Sequence, residues 1–409
     1  MLKYLKICAV FLVIVFLLPC VCTASDTIYT WSNSAKSLSE TVQTNSAIAS
    51  SLNLNVGGAV LIEQHSGQVL YEQNMHEKLR PASVTKVMTI LLIMEAIDSG
   101  RLSYSDKIPC SEKAAGMGGS QIWLDVREEL TVDEMLKAIC VVSANDCTVA
   151  MAEYLAGTEE TFVDQMNKKA KELGMNDTTF KNCHGIDEDG HVTSAYDIAL
   201  MSRELLNKHP SITKYTTIYM DTLRDGKSSL VNTNKLIRNY KGATGLKTGS
   251  TSIALYNLSA SATRNDLSLI GVVMKAPTGP IRFSEAQKLL DYGFSNFEYK
   301  KFENKNDVIK QVTVEKGIEN TVNAIVEDDS GALISKGQEK DIVQTVEVVD
   351  TVNAPVSEGQ VLGTIAYSLN GNEIGRVNIV ADKSVSKNSA FNVIEHVIFN
   401  WFSLLRYSK

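Results

Sequence analysis

Hydrophobic and polar positions in the first part of this 409-residue chain change from a strand-like to a helix-like pattern. Apolar runs at 57–63 and 68–73 flank His65-Ser66-Gly67, which predicts a β-hairpin. Pro81 then begins a predicted helix whose apolar residues at 87–97 cover almost the whole circumference. Because a helix that is apolar all round is typical of a protein core, we expect this one to be buried.

Helical and strand-like patterns continue to about residue 297. Helices are predicted at 132–142, 146–155, 160–173, 195–207 and 283–292. Apolar stretches at 246–262 and 267–275 predict two late strands that turn at Arg264-Asn265-Asp266. Two strands before the helices and two after them predict an α+β domain, in which the first and last strands meet in an antiparallel sheet.

Beyond residue 297 the pattern becomes entirely strand-like. Short β-type runs lie at 308–314, 321–326, 342–349 and 360–366. Leu369-Asn-Gly-Asn-Glu373 then predicts a tight turn before a last run at 375–380. These runs predict a small all-β second domain.

The two ends of the chain carry patterns of their own. Lys3 and Lys6 precede an apolar run at 7–18 and the small residues Cys22-Thr23-Ala24, which is typical of a cleaved secretory signal, with an uncleaved anchor as the alternative. A helix predicted at 390–405 has one broad apolar face and a narrow polar stripe. It would cover only about 24 Å, so we expect it to lie in the membrane interface rather than to span the bilayer or dock on the β domain.

These patterns together predict five segments and a location. The segments are a signal peptide at 1–24, a linker at 25–51, an α+β domain at 52–297, a β-rich domain at 298–383 and an amphipathic anchor helix at 384–409. We therefore expect the protein to be exported and attached to the outer face of the cell membrane.

Composition narrows the classes of function. With 44% hydrophobic and 21% charged residues the chain is globular, and a net charge of −7 without a basic aromatic patch argues against nucleic-acid binding. The cysteines that follow the predicted signal are too few for a disulfide scaffold, and Cys140 and Cys147 are expected to be buried thiols. Cys183, His184 and His191 do not form a metal-ligand pattern, so neither a metal nor another cofactor is expected.

Three short strings carry the groups that acylate a serine. Ser83-Val-Thr-Lys86 puts a hydroxyl and an amine one helical turn apart, and burial would lower the lysine pKa enough to make it a base. Ser143-Ala-Asn145 offers a proton shuttle, although polar residues that satisfy a helix junction are the plainer interpretation of that string alone. Lys247-Thr-Gly249, which occurs once, offers a cation for a carboxylate and a glycine that lets a ligand backbone approach.

The order and wording of these strings resemble a known family, the penicillin-binding serine-type D-alanyl-D-alanine carboxypeptidases of low molecular mass. The motifs that carry the resemblance are Pro81-Ala-Ser-Val-Thr-Lys-Val-Met-Thr89, Ser143-Ala-Asn-Asp146, His184-Gly-Ile-Asp187 and Gly245-Leu-Lys-Thr-Gly-Ser-Thr251. The resemblance implies a β-lactamase/transpeptidase-like fold for residues 52–297. The chain departs from the family pattern at Ala144, where Gly is frequent, and at Thr244, where Asp is frequent.

The resemblance also implies roles for the first two motifs. Ser83 would be acylated by the penultimate D-Ala of a peptidoglycan stem peptide, with Lys86 as its base. Ser143 and Asn145 would assist proton transfer and hold the substrate amide. Terminal D-Ala would leave first, and water would then release the trimmed peptide. β-Lactams would acylate the same serine and leave slowly.

The third motif is implied to bind the end of the substrate. Lys247 and Thr248 would hold the terminal carboxylate beside Gly249. The N–H groups of Ser83 and Ser250 would form the oxyanion hole.

Two other functions use the same motifs. A β-lactamase needs a hydrolytic base, but Glu204, the nearest candidate, falls on the solvated face of a predicted amphipathic helix. A non-catalytic penicillin-binding or cell-wall protein would tolerate a degenerate site, whereas Ser83, Lys86 and Lys247 are all present. The sequence therefore favours the carboxypeptidase, and the response to penicillin would separate the three.

Overall fold

The computed structural model describes residues 52–388. The predicted signal peptide and linker lie outside this range, as does the predicted terminal helix from residue 389 onwards. The segment limits drawn from the sequence therefore remain predictions. No helix in the described range is long and apolar enough to cross a membrane.

The helices confirm the predicted positions, with ends that move by a few residues. The described helices are α1 (Lys86–Asp98), α2 (Glu112–Ala115), α3 (Val132–Val141), α4 (Asn145–Ala156), α5 (Glu159–Glu172), α6 (Ala195–Lys208), α7 (Thr213–Thr216), α8 (Leu236–Asn239) and α9 (Gly279–Asn296). Single 3₁₀ turns lie at Ala82–Thr85, Pro210–Ile212 and Glu339–Asp341. As expected from its sequence, α1 is buried along nearly its whole length.

The strands form two main sheets. Those of the first part are β1 (Gly58–Glu63), β2 (Val69–Gln73), β3 (Lys107–Pro109), β4 (Glu129–Thr131), β5 (Met220–Leu223), β6 (Ser228–Val231), β7 (Ala243–Thr251), β8 (Leu255–Arg264) and β9 (Leu267–Ala276). Those of the second are β10 (Phe297–Lys301), β11 (Val308–Glu315), β12 (Thr321–Val326), β13 (Gly331–Ser335), β14 (Ile342–Val348), β15 (Thr351–Asn353), β16 (Val361–Leu369) and β17 (Asn372–Ala381).

The first sheet joins the two ends of the α+β domain. Its strand order is β2-β1-β9-β8-β7, and β1 pairs antiparallel with β9, which confirms that early and late strands meet. The prediction of one strand at 246–262 was wrong, because the chain reverses there and forms β7 and β8. The turn is closed by a Thr251 hydroxyl that accepts from the N–H of Ala254 at 2.9 Å, a local side-chain turn without the glycine or proline that marks most turns.

Helices cover both faces of this sheet. Ser259 of β8 lies opposite Lys247 of β7, and the Ser259 hydroxyl is 2.8 Å from that of Ser202 on α6. Gly271 of β9 lies opposite the next residue of β8 and packs against Leu289 of α9. Because successive side chains of a strand point to opposite faces, α6 and α9 lie on opposite sides, and Lys247 faces the side of α6.

The chain enters α1 differently from the prediction. The sequence predicts that the helix begins at Pro81, whereas the structure has a 3₁₀ turn at Ala82–Thr85 and an α-helix only from Lys86. The cause is Ala82, whose φ of 48° lies in the left-handed region that non-glycine residues seldom adopt. Ser83 therefore sits in the tight turn just before α1.

The all-β part has its own core. Its six-stranded sheet has the order β14-β16-β17-β12-β11-β15, and β10 pairs with β13 beside it. Alternate residues of these strands, such as Val312, Val322 and Ile379, are buried together. Phe302 and Tyr367 stack with ring centroids 3.9 Å apart. The predicted turn at 369–373 is confirmed as the connection between β16 and β17.

A capping box at the start of α3 gives a testable contribution to stability. The Thr131 hydroxyl accepts from the N–H of Glu134, and the Glu134 carboxylate accepts from the N–H of Thr131 at 2.8 Å. We predict that Thr131→Val lowers the free energy of unfolding by about 1 kcal/mol in urea denaturation, because it removes the cap acceptor. Thr131→Ser keeps that acceptor and should stay close to the wild type. Equal stability of all three proteins would contradict the assignment.

Candidate active site

The centre of the site is the side chain of Lys86 at the start of α1. Its Nζ lies 3.0 Å from Ser83 Oγ, 2.6 Å from Asn145 Oδ1 and 2.7 Å from the backbone oxygen of His184. The 3₁₀ turn places Ser83 and Lys86 on one side, as their spacing predicts. The second motif and a loop near residue 184 supply the other two contacts, so three distant parts of the chain converge on one amine.

The Lys86 amine is poised to be uncharged. Its side chain has no solvent exposure, and burial lowers its pKa well below the ordinary value. The nearby charge of Lys247 lowers this pKa further. Burial disfavours the protonated form of any amine, and a second cation adds repulsion. A neutral lysine in hydrogen-bond reach of a serine hydroxyl is a base for that hydroxyl.

Asn145 ties the base to a neighbouring loop. Its side-chain oxygen faces Lys86, and its Nδ2 donates to the backbone oxygen of Gly118 at 2.7 Å. The next residue, Asp146, is fully buried and accepts from the N–H groups of Ile122 and Leu124 at 3.0 and 3.1 Å. The beginning of α4 therefore fixes the orientation of the asparagine and the course of the loop at 118–124.

Ser143 lies in the break between α3 and α4. Its φ of 68° is unusual for a residue with a side chain, and only 3% of it is exposed. Within residues 52–388 its hydroxyl makes no hydrogen bond. A strained, buried hydroxyl without a partner is typical of a group held ready for a substrate. Ala144 has an ordinary φ of −56°, so its methyl group adds no backbone strain there.

Lys247 and Thr248 lie side by side on β7. Burial above all, together with the charge of Arg282, lowers the pKa of Lys247 to about 7, while Cys140 acts in the opposite direction. The amine donates to the backbone oxygen of Thr248 at 3.0 Å, and the Thr248 hydroxyl donates to that of Thr233 at 2.7 Å. A buried amine that retains a proton near neutral pH is suited to binding an anion.

Two glycines allow close backbone contact with the peptide unit between Ala82 and Ser83. A side chain at Gly185 would come within 2.0 Å of the Ala82 oxygen, and one at Gly249 would come within 2.8 Å of the Ser83 nitrogen. Gly185 also has a φ of 92°, so it requires glycine on two counts. The structure thus places Gly249 beside the Ser83 turn. Ser250 follows it on β7, is exposed and pairs with Tyr256.

The loop that presents the His184 oxygen is held by a buried carboxylate. Glu159 accepts from the N–H of Cys183 at 3.1 Å and forms an ion pair with Lys113 at 2.9 Å. The His184 ring lies 3.4 Å from the same carboxylate, yet burial lowers the pKa of His184 to about 4. The ring is therefore neutral at physiological pH. Glu159 thus fixes the loop through its contact with Cys183, and the backbone carbonyl of His184 in that loop faces Lys86.

Sequence reasoning gave no role to several residues of the site. The carbonyl of His184 could not be found from residue types, because any amino acid supplies a backbone oxygen. Thr233 carries no local motif, and its contact with Thr248 depends on tertiary structure. Arg282 donates to the backbone oxygen of Gly249 at 3.3 Å from the first turns of α9. Its only signal is a positive charge in a helix that packs against the sheet.

Cys140 and Cys147 are buried, as predicted. Within residues 52–388 neither they nor the buried Cys110 and Cys183 form a disulfide. Burial raises the pKa of Cys140 to about 12, so this thiol near Lys247 stays protonated and unreactive. The serine hydroxyl beside Lys86 is therefore the candidate nucleophile of the site.

Comparison with known families agrees with this geometry. Residues 43–278 match the D-alanyl-D-alanine carboxypeptidase family, and residues 297–387 match the C-terminal domain of penicillin-binding protein 5. The chain is 44% identical over 347 residues to the D-alanyl-D-alanine carboxypeptidase DacF of Bacillus subtilis, covering 84% of this chain and 89% of the relative.

Solved structures show the same architecture. Penicillin-binding protein 5 from Haemophilus influenzae has a TM-score of 0.68 at 32% identity, covering 82% of this chain and 98% of that structure. Penicillin-binding protein D2 from Listeria monocytogenes, solved in an ampicillin-bound form, has a TM-score of 0.55 at 32% identity. The alignment covers 59% of this chain and 99% of that structure.

The family is thus confirmed, as is the fold class of an α+β transpeptidase-like domain followed by an all-β domain, whereas the terminal helix stays a prediction. The family match spans more than half of the chain, and the relatives align along most of their own length. This chain belongs to the D-alanyl-D-alanine carboxypeptidases, the serine-type peptidases that also bind penicillin.

Proposed function

We propose that this carboxypeptidase removes the terminal D-Ala of peptidoglycan stem pentapeptides through an acyl-enzyme on Ser83, with Lys86 as the general base. The observation that carries this assignment is the set of three contacts around the Lys86 amine. A neutral amine has two N–H groups and one lone pair. The oxygens of Asn145 and His184 accept the two N–H groups, at 2.6 and 2.7 Å. The lone pair is then left for the hydroxyl proton of Ser83, at 3.0 Å.

The contacts also explain why the charged form of Lys86 would be inactive. An ammonium group has three N–H groups and no lone pair. Its third N–H would point at Ser83 Oγ and leave the serine proton without an acceptor. Burial and the Lys247 charge disfavour this form, so the pKa shift and the hydrogen bonds support the same role.

Acylation moves one proton from the Ser83 hydroxyl to the leaving amine. Ser83 Oγ attacks the carbonyl carbon of the penultimate D-Ala while its proton passes to Lys86. The N–H groups of Ser83 and Ser250 stabilise the oxyanion. The C–N bond breaks as the proton moves from Lys86 to the leaving amine through the Ser143 hydroxyl, which makes no hydrogen bond within residues 52–388, and free D-Ala departs. Water then attacks the ester, releases the tetrapeptide and restores the serine.

The terminal carboxylate of the substrate belongs on β7. Lys247 supplies the positive charge and Thr248 a hydroxyl, and the close approach at Gly249 keeps both next to the Ser83 turn. Asn145 can also donate to the substrate amide. β-Lactams carry a carboxylate beside a reactive carbonyl, so they would acylate the same serine.

The location of the protein is part of the proposal. The pattern at 1–24 supports export, and the amphipathic pattern at 390–405 supports attachment to the outer face of the membrane. Both segments are outside residues 52–388, so the support comes from the sequence.

The nucleophile can be tested with penicillin and a stem pentapeptide. We predict that Ser83→Ala abolishes both covalent penicillin labelling, followed by intact-protein mass spectrometry, and D-Ala release. Ser143→Ala keeps the nucleophile and base, so it should still be labelled, only more slowly. Labelling of Ser83→Ala would refute the assignment. A wild-type adduct that turns over within seconds would favour the β-lactamase, and an adduct without D-Ala release would favour a non-catalytic protein.

The two lysines predict a bell-shaped pH dependence of kcat/KM. Activity should rise with pH as Lys86 loses its proton, and fall above about pH 7 as Lys247 loses the charge that binds the carboxylate. A substrate that ends in an amide has no carboxylate to bind. Its kcat/KM should be lower and should lack the alkaline fall. An equal alkaline fall for both substrates would exclude Lys247 as its source.

Membrane attachment predicts a separation of location from activity. Deleting residues 390–409 should move the protein from the membrane fraction to the soluble fraction, because it removes the apolar face. D-Ala release from a soluble pentapeptide should be retained, since the active-site residues lie at 83–250. Membrane binding by the truncated protein would show that another segment is the anchor.

A further inference from the structure

The backbone at Ala82 is held in an unfavourable conformation next to the nucleophile. Its φ of 48° is costly for a residue with a Cβ, and the residue is only 1% exposed. The following peptide unit joins the Ala82 carbonyl to the Ser83 N–H. Such a conformation persists only where surrounding contacts impose it. The contacts of the Ala82 oxygen show which residues hold this peptide unit.

A chain of three hydrogen bonds ends on that oxygen. The N–H of Lys181 donates to His191 Nδ1 at 2.9 Å, His191 Nε2 lies 2.8 Å from the Thr85 hydroxyl, and that hydroxyl lies 2.8 Å from the Ala82 oxygen. Thr85 is fully buried and His191 is 2% exposed. Water therefore has little access to compete for these bonds.

The direction of each bond follows from the two fixed ends. A backbone N–H can only donate, so Nδ1 of His191 carries no proton and the neutral ring must carry it on Nε2. Nε2 then donates to Thr85, and the single hydroxyl proton of Thr85 goes to Ala82. Burial lowers the pKa of His191 to about 4, which is consistent with a neutral ring.

We infer that Thr85 and His191 are positioning residues that aim the Ser83 N–H at the oxyanion of the reaction by anchoring the opposite end of the same peptide unit. In a trans peptide the C=O and N–H point in opposite directions. Anchoring the carbonyl on the Thr85 side therefore fixes the direction of the N–H, and the Ser83 nitrogen lies beside Gly249 of β7, where an added Cβ would come within 2.8 Å of it and of the Val84 nitrogen. The inference rests on the proposed function, in which this N–H stabilises the oxyanion.

The hydrogen bonds that run from Lys181 through His191 and Thr85 to Ala82 also strengthen the Ser83 N–H as a donor. A peptide whose carbonyl accepts a hydrogen bond is polarised, and its N–H becomes a better donor. Gly185 packs so closely against the same carbonyl that an added Cβ would come within 2.0 Å of its oxygen. The two effects act where negative charge develops, so they favour the transition state over the bound substrate.

A pair of substitutions at Thr85 tests the inference. Thr85→Val has a similar shape without the hydroxyl, and Thr85→Ser keeps it. For penicillin acylation by stopped flow, we expect Thr85→Val to lower the acylation rate constant at least tenfold, short of the ~10²–10³-fold seen on deleting an oxyanion donor. The dissociation constant of the non-covalent complex should stay within about twofold, and Thr85→Ser should recover the rate to within about threefold.

Thr89 provides a matched control for the loss of a buried hydroxyl. It lies one turn further along α1, is also fully buried, and donates to the backbone oxygen of Cys183 at 2.6 Å. Thr89→Val should lower the melting temperature about as much as Thr85→Val, with an acylation rate within about threefold of the wild type. Equal rate losses in both valine variants, or a loss at Thr85 confined to the dissociation constant, would overturn the inference.

The state of His191 can be read without relying on a folded variant. In full-length protein labelled with ¹⁵N-histidine, NMR at neutral pH should show His191 protonated at Nε2 and bare at Nδ1. The opposite tautomer or an imidazolium would contradict the assigned directions of the hydrogen bonds from Lys181 to Ala82. If wild-type Ser83 were not acylated by penicillin at all, the proposed function would fail. If it is acylated and Thr85→Val is equally fast, only the positioning inference fails.

Discussion

The structure depends on burying an amine whose hydrogen-bonding capacity is already allocated. Lys86 has no solvent exposure, and the oxygens of Asn145 and His184 occupy its two N–H positions. The lone pair of the neutral amine remains, and it faces Ser83. To build this arrangement the protein needs an apolar helix below the lysine, a helix junction on one side and a carboxylate-supported loop on the other. The helices of the α+β domain supply this surrounding structure for the Lys86 amine.

Close approach between backbones is the second constraint. The turn that carries Ser83 lies between the loop at Gly185 and strand β7 at Gly249, with no space for a side chain at either position. The sheet delivers Lys247 and Thr248 to the same turn because β7 is fixed by its pairing with β8. Ser83, Lys247 and Thr248 are thus held close together by backbone contacts that leave no space for a side chain at Gly185 or Gly249.

Much of this could be predicted from sequence, where the signal was local. The apolar circumference of α1 predicted its burial, and the spacing of Ser83 and Lys86 predicted their contact. The break at 252–254 was missed because Thr251 closes it with a side-chain hydrogen bond rather than with glycine or proline. The left-handed backbone at Ala82 and the carbonyl of His184 could not be predicted, because tertiary packing imposes the first and any residue could supply the second.

The position of β7 has a consequence for substrate choice. It is the last strand of its five-stranded sheet, so an extended peptide alongside it would be read through main-chain groups. In recognition of that kind the main-chain hydrogen bonds supply the affinity, and side chains of the peptide add specificity only where pockets receive them.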